Sequence, residues 1–156
     1  MKDSPIPLAQ ARQRPDVHWW LSLGLAGIGL AVSIYLAWVK LTGNVASCGS
    51  VGDCESVNNS RYAEFAGVPI ALLGALGYVA VLALLGSESR FPRLAEGARL
   101  AVFGVSLIGT LYSAYLSYIE VAVLRAICPY CVISALAMTA ILVLGILRLR
   151  LSDSDA

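Results

Sequence analysis

The chain has 156 residues, 58% of them hydrophobic and 13% charged, with a mean hydropathy of +0.77. Soluble domains carry about a quarter charged residues, so most of this chain is not built to face water. A net charge of +1 gives no basic surface for nucleic acid, and the single histidine, His18, argues against histidine-based zinc or haem sites.

Residues 1–16 are polar, contain Pro5, Pro7 and Pro15, and predict a mobile tail. The uncharged run from Val17 to Val39 predicts a first membrane helix over 17–41. Trp19 and Trp20 at one end, and Tyr35 and Trp38 at the other, fit an aromatic belt. Val45-Ala46-Ser47-Cys48 loosely resembles a lipoprotein cleavage box. The preceding apolar run is longer than a signal core, and Lys40 separates it from Cys48, so cleavage is not expected.

Residues 42–67 form the one substantial outer loop, rich in turn formers at Gly43, Asn44, Gly49, Ser50, Gly52 and Asp53. Within it, Ser56 to Phe65 predicts a short helix lying on the membrane surface and capping the bundle. The uncharged run Phe65–Ser87 predicts a second membrane helix over 68–87, with Pro69 in its first turn. A short basic loop follows. Leu100–Ile119 predicts a third helix over 98–119, and Ala126–Leu147 a fourth over 127–148. Residues 149–156 read as a second polar tail.

Each run holds the roughly 20 residues that cross about 30 Å of hydrocarbon, and lipid forces backbone polar groups to pair within the segment. The fold class is therefore an all-α integral membrane protein. Its domain, residues 17–148, is a four-transmembrane-helix bundle with a short capping helix in the first outer loop. No Asp or Glu interrupts the four runs to suggest an ion pathway. Eight basic residues (Lys2, Arg12, Arg14, Arg90, Arg93, Arg99, Arg148 and Arg150) fall on one side, against Lys40, Arg61 and Arg125 on the other. The bias predicts both termini in the cytoplasm of a cell (inner) membrane protein. The cysteines then face the periplasmic or extracellular side, where disulfides form.

Four cysteines fall in two pairs: Cys48 and Cys54 in the outer loop, and Cys128 and Cys131 in Cys-Pro-Tyr-Cys at the start of helix four. Residues three apart share a helical face, and the N-terminal dipole lowers a thiol pKa. Soluble Cys-x-x-Cys enzymes need a βαβ context that is missing here. Redox exchange is the favoured reading. Structural disulfides or a four-cysteine metal site are the alternatives, and Cys-x5-Cys is a loose spacing for zinc. A disulfide between Cys48 and Cys54 closes a short ring and adds little stability, which suits a shuttle. Thiol–disulfide exchange requires the pairs to meet. The chain offers no nucleotide-binding motif, so a lipid-soluble quinone is the expected acceptor, lodged between helices beside Cys131. Phe65, Tyr112, Tyr115 and Tyr118 are candidates for its lining.

This order resembles the vitamin K epoxide reductase family: Cys-x5-Cys, then Ser60-Arg61, then Cys-x-x-Cys opening the last helix. The resemblance covers roughly residues 17–148. It implies a bundle around a quinone (menaquinone or ubiquinone), with Cys131 nearest to it. It implies that Cys54 exchanges with Cys128, and that Cys48 helps receive electrons from a thioredoxin-like or DsbA-like periplasmic protein. Ser60 matches a family serine or threonine and is expected to hydrogen-bond within the site. Some bacterial relatives carry a fused thioredoxin-like domain; this chain stops at Ala156, which implies a separate partner. Ala135 stands where animal enzymes have a tyrosine that contacts vitamin K, which favours quinone reduction over epoxide reduction. The bacterial membrane partner of DsbA has its pairs in the opposite order and is at most a functional analogue. The activity implied is disulfide formation coupled to quinone reduction; the alternative is a non-enzymatic membrane subunit with two structural disulfides.

Overall fold

A computed structural model describes residues 17–48 and 52–154. The predicted tail over 1–16, and Gly49 and Ser50 of the loop, lie outside the described residues. Helix α1 is Val17–Thr42 and the short α2 is Cys54–Asn58. A two-residue hairpin pairs β1 (Glu64–Phe65) with β2 (Val68–Pro69). Helix α3 is Ile70–Arg90, α4 is Ala95–Tyr118 and α5 is Pro129–Ser154. Among the described residues, four segments are long and apolar enough to cross a membrane: Val17–Thr42, Ile70–Arg90, Ala95–Leu124 and Pro129–Leu151.

Around the bundle, α1 packs against α3 and α5, and α4 packs against the same two. The diagonals are α1 with α4 and α3 with α5. Small residues let the helices approach closely. A Cβ at Gly29 of α1 would run into the Tyr78 ring of α3, and one at Gly109 of α4 would lie 2.9 Å from Met138 of α5. Two clusters form the core. One, of Ala26, Tyr78, Val81, Leu85, Val102, Met138 and Ile141, fills the bundle. The other, of Leu36, Val39, Ala46, Cys54, Val57, Ala126 and Cys128, closes the end that bears the cysteines.

The opposite end is held by charge. Glu88 of α3 accepts from Arg99 Nε of α4 at 2.8 Å and from Arg148 Nη2 of α5 at 2.5 Å, with Glu88 and Arg148 both buried to over 90% by side chain. Trp19, expected in an aromatic belt, is half-buried and donates its indole N–H to Leu85 O at 3.1 Å.

Three expectations need correction. The capping segment is not one helix over Ser56–Phe65. Asp53 starts α2 earlier by accepting from Ser56 N, and the chain leaves helix near Asn59. A 3-10 turn at Arg61–Ala63 and the hairpin then return the chain to α3, with Ala66 at φ 51 and Gly67 at φ 82 making the reversal. Helix four continues through Leu149 to Ser154, because nothing in Leu149-Arg150-Leu151 stops a helix. The third segment does not end at Ile119. It runs on through a π turn, Ile119–Leu124, and carries Glu120 into the buried interior at 5% exposure. The run to Ile119 is free of acid as expected, but the Glu120 that follows it lies inside the protein and not at a membrane edge.

Candidate active site

The site is built where the loop meets the start of α5. After the π turn the backbone breaks at Arg125, which is left-handed at φ 51, a conformation costing about 1–2 kcal/mol for a residue with a Cβ. Ala126 N donates back to Glu120 O at 3.1 Å. This break aims Cys128 at the bundle end. Pro129 is the first residue of α5, where its missing N–H costs nothing, and Val132 N donates to Cys128 O at 3.1 Å.

The loop is pressed against this turn. Asp53 N donates to Ile127 O at 3.1 Å. A Cβ at Gly52 would lie 2.6 Å from both Ile127 O and Pro129 Cδ, so only glycine allows the approach. Asp53 caps α2, accepting from Ser56 N at 3.0 Å and from Ser56 Oγ at 2.6 Å. The Ser56 hydroxyl, then its amide, hold the Asp53 carboxyl below the usual carboxylate range. Lys40 of α1 donates to Asn58 O at 2.9 Å and pairs with Glu64 at 3.2 Å, tying the far side of the cap to α1. Ahead of Cys48, Ser47 N donates to Tyr35 Oη and Tyr130 Oη donates to Ser47 O, each at 3.3 Å. Tyr35 thus anchors the loop as well as standing at the helix end.

These restraints bring the sulfurs together. Cys48 and Cys54 are joined as a disulfide, while Cys128 and Cys131 are thiols. Cys128 Sγ lies 3.3 Å from Cys54 Sγ, and each of these two residues is only 1% exposed. Separations of about 3–3.5 Å are those from which bonds form. The Cys131 thiol beside it holds the Cys128 thiol below the ordinary cysteine range, while burial and the nearby Glu120 push the other way. The sulfurs of Cys48, Cys54 and Cys128 lie within 4.8 Å of one another. A soft metal would suit such a cluster, but two of the three are bonded to each other and offer no thiolate.

Beneath the cysteines is a cavity of about 490 Å³, within the range of small-molecule sites. Cys131 lines it, with Ser60, Phe65 and Tyr112. Ser60 Oγ donates to Val57 O at 2.8 Å, so its hydroxyl closes the α2 turn at the cavity edge. Phe65 stands at the rim and is 63% exposed. Tyr115 does not line the cavity: it is 51% exposed on the outer face and packs on Tyr112 with centroids 6.1 Å apart. Ser113 and Leu116 of α4 and Glu120 of the π turn mark the cavity face, Tyr112 stands at one edge of it, and Tyr115 falls beyond that edge. Tyr118 is likewise exposed on the outside.

Two lining residues lay outside the sequence reading. Tyr78 is buried and its hydroxyl donates to Ser134 O at 2.7 Å. Glu120 Oε2 accepts from Cys128 N at 3.2 Å, and its carboxyl also meets the Cys131 thiol. The available signal for Glu120 was an acidic residue eight positions before Cys128, in a connection too short to carry it away.

Fold and site together define a multi-pass membrane protein with two cysteine pairs meeting at one end of its bundle, above an apolar cavity. Residues 20–146 match the vitamin K epoxide reductase family, and the chain belongs to that family. It is similar to the thiol-disulfide oxidoreductase LTO1 of Arabidopsis thaliana, with 34% identity over 125 residues, covering 76% of this chain and 33% of the relative. The chain thus spans about a third of that protein's length.

Proposed function

We propose that the protein is a quinone-dependent thiol–disulfide oxidoreductase that supports disulfide formation in exported proteins. The observation that carries this reading is the 3.3 Å approach of Cys128 Sγ to Cys54 Sγ across two separately anchored segments. A structural staple has no need of a third sulfur at its door. Both the family and the relative's name, a thiol-disulfide oxidoreductase, support it.

In this reading both termini lie in the cytoplasm and the cysteines face the outside, as the basic residues predict. A thioredoxin-like or DsbA-like protein delivers electrons to the Cys48–Cys54 disulfide. Cys48 is the more accessible of the two and takes the partner's attack. The reduced loop pair then reduces the Cys128–Cys131 disulfide. Cys54 thiolate attacks Cys128 Sγ, the Cys128–Cys131 bond breaks, and Cys48 thiolate attacks Cys54 to release Cys128. One S–S bond forms for each that breaks, and two electrons pass to the α5 pair. Every step is direct displacement at sulfur and reverses through the same contact. The depressed Cys128 thiol makes it a good leaving group.

The cavity is the site we assign to a menaquinone or ubiquinone. Its walls are largely apolar. Leu73 of α3 and Ile108 of α4 line it and are also exposed on the outer face, so a lipid-soluble molecule has a way in between those helices. Ser60, Phe65 and Tyr112 would hold the ring near Cys131. When bound, a quinone supplies a two-electron, two-proton acceptor. The alternative, a non-enzymatic subunit with two structural disulfides, draws no support from free thiols at Cys128 and Cys131.

Purified protein in detergent, given a reduced DsbA-like partner and a soluble quinone, is expected to reduce the quinone as the partner is oxidised. Cys131→Ser should abolish this. Quinone reduction that survives Cys131→Ser would overturn the reading.

A further inference from the structure

The relay accounts for electrons but leaves protons without a route. Oxidising two thiols to a disulfide releases two protons, and a quinone must take up two to become the quinol. Around Cys131 the cavity is mostly hydrocarbon, which carries no protons. One carboxyl group stands at the junction. Glu120 is 5% exposed, accepts from Cys128 N at 3.2 Å, meets the Cys131 thiol and lines the cavity. None of the ion pairs among the described residues involves it. A buried carboxylate without a cation costs several kcal/mol, a cost that bundle packing does not require. The backbone is also rebuilt to place it, since Glu120 sits in the π turn rather than in regular helix. Such turns recur at functional sites.

We propose that Glu120 is the proton carrier between the α5 cysteine pair and the cavity. This rests on the quinone-reductase reading and deepens it. As the Cys128–Cys131 disulfide forms, the Glu120 carboxylate takes the proton of Cys131, becomes the carboxylic acid and gives the proton to the acceptor's oxygen. The proton of Cys128 follows by way of the Cys131 sulfur and the same carboxyl. Two S–H bonds break and one S–S bond forms. Two electrons and two protons end on the quinone, and Glu120 returns to its starting state. With no acceptor in the cavity, the proton stays on Glu120, because disulfide formation removes the thiol that donated to its charge.

The rival is a positioning role only, in which the carboxyl merely accepts the Cys128 N–H. Glu120→Gln separates the two, since the amide keeps the size and the acceptor oxygen but carries no proton. Quinone-free protein in detergent is reduced, then oxidised with a small-molecule oxidant, and followed by infrared difference spectroscopy. Wild type should gain a protonated-carboxyl band on oxidation, and Glu120→Gln should not. Glu120→Asp should retain the band. In single turnover, Glu120→Gln should slow quinone-dependent oxidation of the Cys128–Cys131 dithiol about 100-fold, a usual size for lost acid–base assistance. A Cys54–Cys128 mixed disulfide, trapped in a Cys131→Ser background, should still form when Glu120→Gln is added, showing an intact fold. The proposal is overturned if oxidation produces no carboxyl band in wild type, or if Glu120→Gln oxidises with quinone as fast as wild type. Should wild type itself fail to pass electrons to quinone, the functional reading falls, and the infrared result still decides Glu120.

Discussion

Gly52 decides whether the two cysteine pairs can touch. A methyl group there would meet Ile127 O and Pro129 Cδ at 2.6 Å, and the carbonyl, being backbone, cannot swing aside. Gly52→Ala should push the loop off the α5 turn and lower the rate of Cys54–Cys128 exchange about 10- to 100-fold, as misplacement by about 1 Å can. Gly145→Ala, where a Cβ meets nothing within 4 Å, should leave it unchanged; equal rates in the two variants would refute the steric argument. The pH dependence of exchange tests the thiol pair. Cys131 holds the Cys128 thiol below its ordinary range, so Cys128 ionises at lower pH than it would without that neighbour. The rate of Cys128 attack should rise with pH and reach a plateau. Cys131→Ala removes the donor and should move the plateau to higher pH, whereas Cys131→Ser, which keeps a hydroxyl donor, should move it less. Superimposable profiles for the two variants would contradict this. The cysteine pairing pattern was legible in the sequence because it is local and periodic. Glu120 was not, because its charge ended an uncharged run and so read as a membrane edge. Its burial depends on partners, Cys128 N and Cys131, that only tertiary structure supplies.

At the scale of elements, the four spans were readable because long apolar helices leave little choice of structure in lipid. Their ends were less readable. Residues 149–154, read as a polar tail, extend α5 as helix, and Asn59 and Ser60 break the cap that periodicity alone would have carried to Phe65. The basic residues counted for topology also have a second task. Arg99 and Arg148 converge on buried Glu88 and join α3, α4 and α5 at the end away from the cysteines. Glu88→Ala removes the buried carboxylate on which both arginines converge and should cost about 3 kcal/mol, read as a lower unfolding midpoint in detergent. Glu96→Ala, at an exposed position of α4, is the control. A Glu88→Ala protein as stable as the control would show that the triad is not a clamp.

For the whole molecule, the bundle acts as a frame that holds a small loop against one helix start. The two ends are fastened by different means, ion pairs at one and packed loop contacts at the other, with the cavity beneath the second. Lys40, Tyr35 and Tyr130 restrain the loop on both sides of the cysteine pair. Its reach is therefore short and directed at Cys128, not the wide swing that a glycine-rich loop suggests. The proposed function requires that contact to be chemical. The most direct measurement is peptide mapping by mass spectrometry of Cys131→Ser protein isolated from membranes under acid quench. Cys54 should be found linked to Cys128, with Cys48 as a free thiol. A Cys48–Cys54 bridge that remains closed, with Cys128 free, would contradict it.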